Sequence, residues 1–188
     1  MQIAKDRLAQ SEKLEPTSSS PSSTKTRLIF VSVSPKDKIE KTELLNHLNI
    51  LKTEGTDVWT EDDIRPGEDQ YQTISEKVDE ADLVILLITV NYLNSFEAQT
   101  RIIAQLRKQR EHRNRVVISI IARPCAWERV GWITEISREI LPADKKPVWR
   151  NDGFYADEEL TKIVRRISLT LTSLSLENDY CQQSFDHS

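Results

Sequence analysis

Two rhythms of apolar and polar residues run through this chain. From Arg27 onward, short and nearly continuous apolar runs, "RLIFVSV", "DVW", "DLVILLIT", "RVVISIIA" and "KPVW", alternate with longer stretches whose apolar residues recur every three or four positions. Runs of the first kind predict strands, and stretches of the second kind predict amphipathic helices. "DLVILLIT" and "RVVISIIA" lack the alternation of a strand with one wet face, so both read as parallel strands covered on two sides.

The intervening stretches carry helix punctuation. Ser34-Pro35-Lys36-Asp37 reads as an N-cap, a proline at the first helical position and an acid three residues after the cap. Leu44, Leu45, Leu48 and Leu51 then share a face, and Gly55 marks the end. Tyr71, Ile74, Val78 and Ala81 form a second stripe. A third helix is expected from about Phe96 to Arg110 with Ile102, Ile103 and Leu106 inward. The last carries Leu160, Ile163, Val164, Ile167, Leu171 and Leu174. Five strands alternating with helices predict an α/β fold: a flavodoxin-like, doubly wound parallel sheet of strand order 2-1-3-4-5.

Composition sets the limits of the domain. Residues 16–26, "PTSSSPSSTKT", are Ser, Thr or Pro at ten of eleven positions and have almost nothing to bury. The expected organisation is a disordered tail over 1–26, one domain over 27–175 and a frayed tail over 176–188. The formal net charge of -4 gives no general attraction to nucleic acid or anionic lipid. The apolar run Leu83 to Ile88 is far short of the roughly 20 residues that span a bilayer. The first residues show no apolar core of a secretory signal, and two cysteines, Cys125 and Cys181, form neither a disulfide framework nor a metal set. These features together predict a cytoplasmic protein that does not insert into membranes.

Most chemistries of such a fold are excluded by the motifs. The chain has four glycines and neither phosphate-cradling glycine motif, and no G-x-S-x-G elbow. His47, His112 and His187 lie too far apart for metal-ligand spacing, so no metal site is expected. The first and third strands end in "VSVS" and "LLITV", without the carboxylates of a phospho-acceptor site.

Five segments in order, "FVSVSPKD", "VWTEDDIRPGE", "ADLVILLITVNYLNS", "IIARPCAWE" and "LPADKKPVW", resemble a Toll/interleukin receptor (TIR) domain of the bacterial branch, over about residues 27–167. The resemblance implies self-association and signalling through assembly, with other TIR domains as partners, homotypic or heterotypic. Many members also cleave the nicotinamide–ribose bond of NAD. The acidic loop after the second strand matches the association loop of relatives: Asp62, Asp63, Ile64, Arg65, Pro66 and Gly67 combine a fixed φ, a permissive glycine and an apolar residue among charges. Either Ile64 is a contact point there, or it folds back onto the core and the loop is an ordinary connection.

Cleaving that bond passes through a cation-like ribose, which a carboxylate stabilises. The position at which the family carries its glutamate falls here on Thr100, Arg101 or Ile102, none of them acidic. Glu97 is the only acid nearby. It precedes Arg101 by four residues, the favourable order for a helical ion pair, and sits near a helix start where acids are favoured for their charge alone. Ser32, Ser34 and Trp59 are candidates to line a nucleotide cleft, with a helix cap and a core aromatic as the alternative roles. A basic run, Arg101, Arg107, Lys108, Arg110, Arg113 and Arg115, has no aromatic residues to stack bases, which argues against single-stranded nucleic acid. Such a run is usually the solvated face of a helix; the alternatives are contact with phosphate groups or with the Glu61-Asp62-Asp63 loop of another copy. The expected function is a TIR-like assembly module that requires no cofactor. The alternative is an NAD hydrolase whose glutamate is Glu97 or comes from a neighbouring subunit.

Overall fold

The computed structural model describes residues 26–95, 99–110 and 115–185. Glu97, Glu111 and Arg113 lie outside them. Five parallel strands, β1 (Arg27–Ser32), β2 (Thr56–Thr60), β3 (Leu83–Ile88), β4 (Val116–Ile121) and β5 (Glu139–Leu141), form one sheet in the order β2-β1-β3-β4-β5. The helices are α1 (Lys38–Leu48), α2 (Gln70–Glu80), α3 (Val90–Leu93), α4 (Ala104–Arg110), α5 (Gly131–Ile136) and α6 (Ala156–Phe185). The doubly wound topology is therefore as the alternation of patterns predicts.

Because successive strand residues point to opposite faces, each strand feeds two apolar layers. Ile29, Val31, Ile85, Leu87, Ile118 and Ile120 pack under α1 and α6, against Leu44, Leu48, Leu160, Ile163 and Ile167. Phe30, Val84, Leu86, Val117 and Ile121 pack on the other side against Val78, Ile103, Leu106 and Ile133. Every residue of β3 is 0% exposed, which explains its unbroken hydrophobicity. Gly55 adopts φ 73° and closes a 3-10 turn that follows α1, a conformation open to glycine at no steric cost.

Three local features differ from the sequence reading. Helix α1 begins at Lys38, and Ser34 to Asp37 form a turn closed by Asp37 N–H to Ser34 C=O at 2.9 Å. Asp37 takes the N-cap position, its carbonyl accepting from Lys41 N–H at 3.0 Å, but its side chain makes no capping bond; the buried carboxylate accepts instead from the Thr89 hydroxyl at 2.5 Å and the Asn91 amide at 2.6 Å. The expected third helix is described from Gln99 onward as a π-turn over Gln99–Ile103 followed by α4, with the short α3 as a separate element ahead of it, and Ile102, Ile103 and Leu106 are buried as their spacing predicts. The fifth strand is Glu139–Leu141 and not "KPVW". Val148 and Trp149 do donate N–H groups to Ile121 and Ala122 carbonyls, both at 2.9 Å, but they lie past the end of the ladder and are apolar because they plug the core. Helix α6 continues to Phe185, beyond the expected domain edge at Ser175. No helix of the described residues is long and apolar enough to cross a membrane.

Helix α1 also clasps two loops at the sheet edge. Glu43 accepts from the Trp149 indole N–H at 2.5 Å, and buried Glu40 pairs with the half-exposed Arg123 of the Arg-Pro-Cys loop. Removing one partner of such a pair costs most when the charge left behind is the buried one. Arg123→Ala, which strands Glu40, should lower the unfolding free energy by about 3 kcal/mol. Glu40→Ala leaves a guanidinium that reaches water and should cost clearly less, as measured by urea denaturation.

Candidate functional site

Between β1 and β3 the chain turns to opposite sides of the sheet, and the carboxyl ends of the strands diverge there. A cavity of about 430 Å³ opens at this point. Val33 and Pro35 after β1, Glu61 after β2 and Ser95 beyond α3 form its floor and rim, Tyr71 and Ile74 of α2 one wall, and Arg101, Ile102 and Ala104 the other. The Arg101 guanidinium lies over the Tyr71 ring, 3.0 Å from its centroid, a cation–π contact that closes one side of the mouth. Gln105 fastens the two walls, donating to the Ser75 carbonyl at 2.8 Å.

Under the cavity the polar groups are satisfied. Tyr92 is fully buried and its hydroxyl shares a 3.0 Å hydrogen bond with Ser32 Oγ. Burial raises the Tyr92 pKa well above its ordinary value of 10.0; the Ser32 bond opposes the rise, and the nearby charge of Glu61 adds to it. Thr89 caps α3 through Tyr92 N–H at 3.0 Å. The Asp37 carboxylate ties this turn to the loop after β1, so the floor of the cavity is held by a short chain of side-chain bonds.

The three residues proposed for a nucleotide cleft are not brought together. Ser32 lies beneath Tyr92, on the same strand face as Phe30. Ser34 is buried, its hydroxyl accepting from Lys36 N–H at 3.4 Å. Trp59 stacks on Phe30, centroids 5.3 Å apart, and lines a separate groove along the outer edge of β2. The sequence places Tyr71 in an apolar stripe, Glu61 in an acidic run, and Arg101 in a basic run and at one of the family's glutamate positions, without a cavity role for any of them. Glu61, directly after β2, is the one whose position just past a strand end signals the cavity.

The acidic loop is built on a fixed base. Thr60 and Asp63 form a capping box, with Thr60 N–H donating to the Asp63 carboxylate at 2.8 Å. Lys41 of α1 pairs with Asp62 at 2.5 Å. Arg65 and Glu68 exchange hydrogen bonds, both 3.1 Å, around Pro66 and Gly67 at φ 94°. Asp69 then caps α2 through the Tyr71 and Gln72 N–H groups. The result presents Arg65, Pro66 and Gly67 outward, with Ile64 half-buried. The basic run is partly spent inside the fold: Arg107 makes a bidentate pair with Glu135, and Arg115 donates to the Asp79 carbonyl. Lys108 is exposed, and the Arg110 side chain falls outside the described residues. Among the described residues no three His, Cys, Asp or Glu side chains converge as a metal set.

Two measurements check the floor. Tyr92→Phe leaves a buried Ser32 hydroxyl without its partner and should cost about 1–3 kcal/mol, whereas the Ser32→Ala, Tyr92→Phe double variant should recover part of that loss. In an alkaline spectrophotometric titration Tyr92 should ionise above the ordinary tyrosine range, because burial holds its hydroxyl neutral. A raised folded-state pKa means that the stability from neutral Tyr92 is complete below pH about 10 and is lost as pH climbs above it.

A family model for the TIR domain matches residues 29–164. Among curated proteins the chain is similar to an uncharacterized protein y4lF of Sinorhizobium fredii (strain NBRC 101917 / NGR234), 28% identical over 122 residues, which cover 64% of this chain and 36% of that protein. The chain thus spans about a third of that relative. The match covers well over half of the chain and the sheet has the order β2-β1-β3-β4-β5, and this chain belongs to the TIR domain family.

Proposed function

We propose that the domain acts by associating with other TIR domains, copies of itself or heterotypic partners, and that this association is its signal. The observation that supports the reading most directly is the loop after β2. A capping box, a salt bridge to α1 and the Arg65–Glu68 closure pre-order its base. Ordering the loop before contact lowers the entropy lost on association, which favours a recognition role over that of a slack connection. On this reading no cofactor is needed.

The basic face is a weaker candidate for the opposing surface than the sequence suggests, because Arg107 and Arg115 already have partners in their own chain. A second reading, hydrolysis of NAD, is favoured by one observation: Glu61 brings a carboxylate to the cavity wall. There it could stabilise a cation-like ribose, but Arg101 across the same cavity opposes that charge. Nicotinamide release that disappears in Glu61→Gln is the result this second reading needs.

The assembly reading is tested on the exposed tip of the loop. Arg65→Glu should weaken concentration-dependent self-association by tenfold or more in light scattering, the effect of a centrally placed interface residue. Its unfolding free energy should stay within about 0.5 kcal/mol, as for a surface substitution. Gly67→Ala meets no neighbouring atom but is strained by φ 94°, so it should disturb association through loop shape alone. Association indifferent to both variants would remove the loop from the interface.

A further inference from the structure

We infer that Phe154 of one copy inserts into the cavity between α2 and α4 of a second copy, building a head-to-tail chain. The inference rests on the assembly reading and names the two surfaces that would meet.

Phe154 is 81% exposed, the most open of the exposed large apolar residues described. Its exposure is engineered by the backbone beneath it. Asn151, Asp152 and Gly153 take positive φ in succession, at 49°, 56° and 83°, a run that glycine adopts freely and that Asn and Asp tolerate better than other side chains. Around them, Arg150 donates to the Pro147 carbonyl at 3.1 Å and to Glu159 at 3.3 Å, and its guanidinium lies 5.2 Å from the centre of the Tyr155 ring. Tyr155 in turn meets Phe154 edge to face, centroids 5.0 Å apart. A loop held in this way, ending in an exposed phenyl ring, is a pre-ordered anchor, whose entropy is lost on folding and not on binding.

The cavity offers what such an anchor needs. Val33, Ile74 and Ile102 give it apolar walls, and Arg101 at the mouth can take the face of an aromatic ring. Charge agrees as well. Asp152, two residues before Phe154, is exposed with no ion pair among the described residues, and Arg101 is exposed beside the cavity. The knob and the hole also belong to opposite layers: Trp149 and Ala156, which flank the knob, pack in the α1–α6 layer, while Ile74 and Ile102 pack in the other. A contact between two different patches is heterologous, and unless its rotation closes a ring it propagates as a filament.

The test uses the full chain in light scattering, alone and as variant mixtures. Phe154→Ala removes the knob. Ala104→Trp fills the cavity, since Ala104 lines it from the exposed start of α4. Each variant alone should associate at least tenfold more weakly than the parent. An equimolar mixture should form dimers and stop there, because only one intact knob and one intact cavity can meet. Asp152→Arg should also weaken association, and Arg101→Glu in the same chain should restore it. Parent-like association of Phe154→Ala, or a mixture that stays monomeric, would assign the cavity to another occupant, such as a small anionic ligand, and overturn the inference while leaving the assembly reading intact. A parent chain that stays monomeric at every concentration would overturn both.

Discussion

The strand β3 has no face open to water, and the rest of the architecture follows from that. Its six residues, Leu83 to Ile88, are each 0% exposed; all six pair with β4, and Leu83 to Leu86 also pair with β1. Covering both faces of a parallel strand requires crossovers on both sides of the sheet. With β1 sending its chain one way and β3 the other, the strand ends part at one place, and no side chain of the sheet can fill the gap. The cavity is therefore a consequence of how the core is covered. What this chain adds is its lining: Arg101 stacked on Tyr71 above a floor held by Ser32, Tyr92, Thr89 and Asp37.

The same burial explains which parts of the fold were legible in the sequence. β3 and β4 announce themselves because neither can tolerate a polar face, and Gly55 because the turn after α1 needs φ 73°. Elements whose form depends on tertiary partners were harder. Glu139–Leu141 is too short to show a period, while Val148 and Trp149 look like a strand only because they are buried. The start of α1 lies at Lys38 with Asp37 and not Ser34 at the N-cap position, and the Asp37 carboxylate is bonded to Thr89 and Asn91, 52 and 54 residues away. No local pattern records such a bond.

The site was legible in outline and not in detail. The acidic loop could be read from its Pro-Gly pair and its run of acids, and those acids are the ones that fix its base: Asp63 as capping partner, Asp62 on Lys41, Glu68 on Arg65. The cleft residues could not be read, because the direction of a side chain just past a strand end depends on what covers it. Ser32 shares its face with Phe30, and Tyr92 closes over both. The charged residues at the cavity, Glu61 and Arg101, came instead from an acidic and a basic run, and Arg101 is one of the three positions on which the family's acid would fall. An arginine there cannot stabilise a developing ribose cation, but it can hold a ring or an acid of a partner.

The central proposal is that the domain works by associating with TIR domains, its own copies or others, and not by chemistry. The most direct measurement is nicotinamide release from NAD by the full chain, recorded in the same cell as light scattering while concentration is raised through the onset of association. The account predicts that scattering climbs while nicotinamide release stays at the level of buffer. Release that rises in step with scattering would contradict it, and would mean that assembly completes a catalytic centre instead of replacing one.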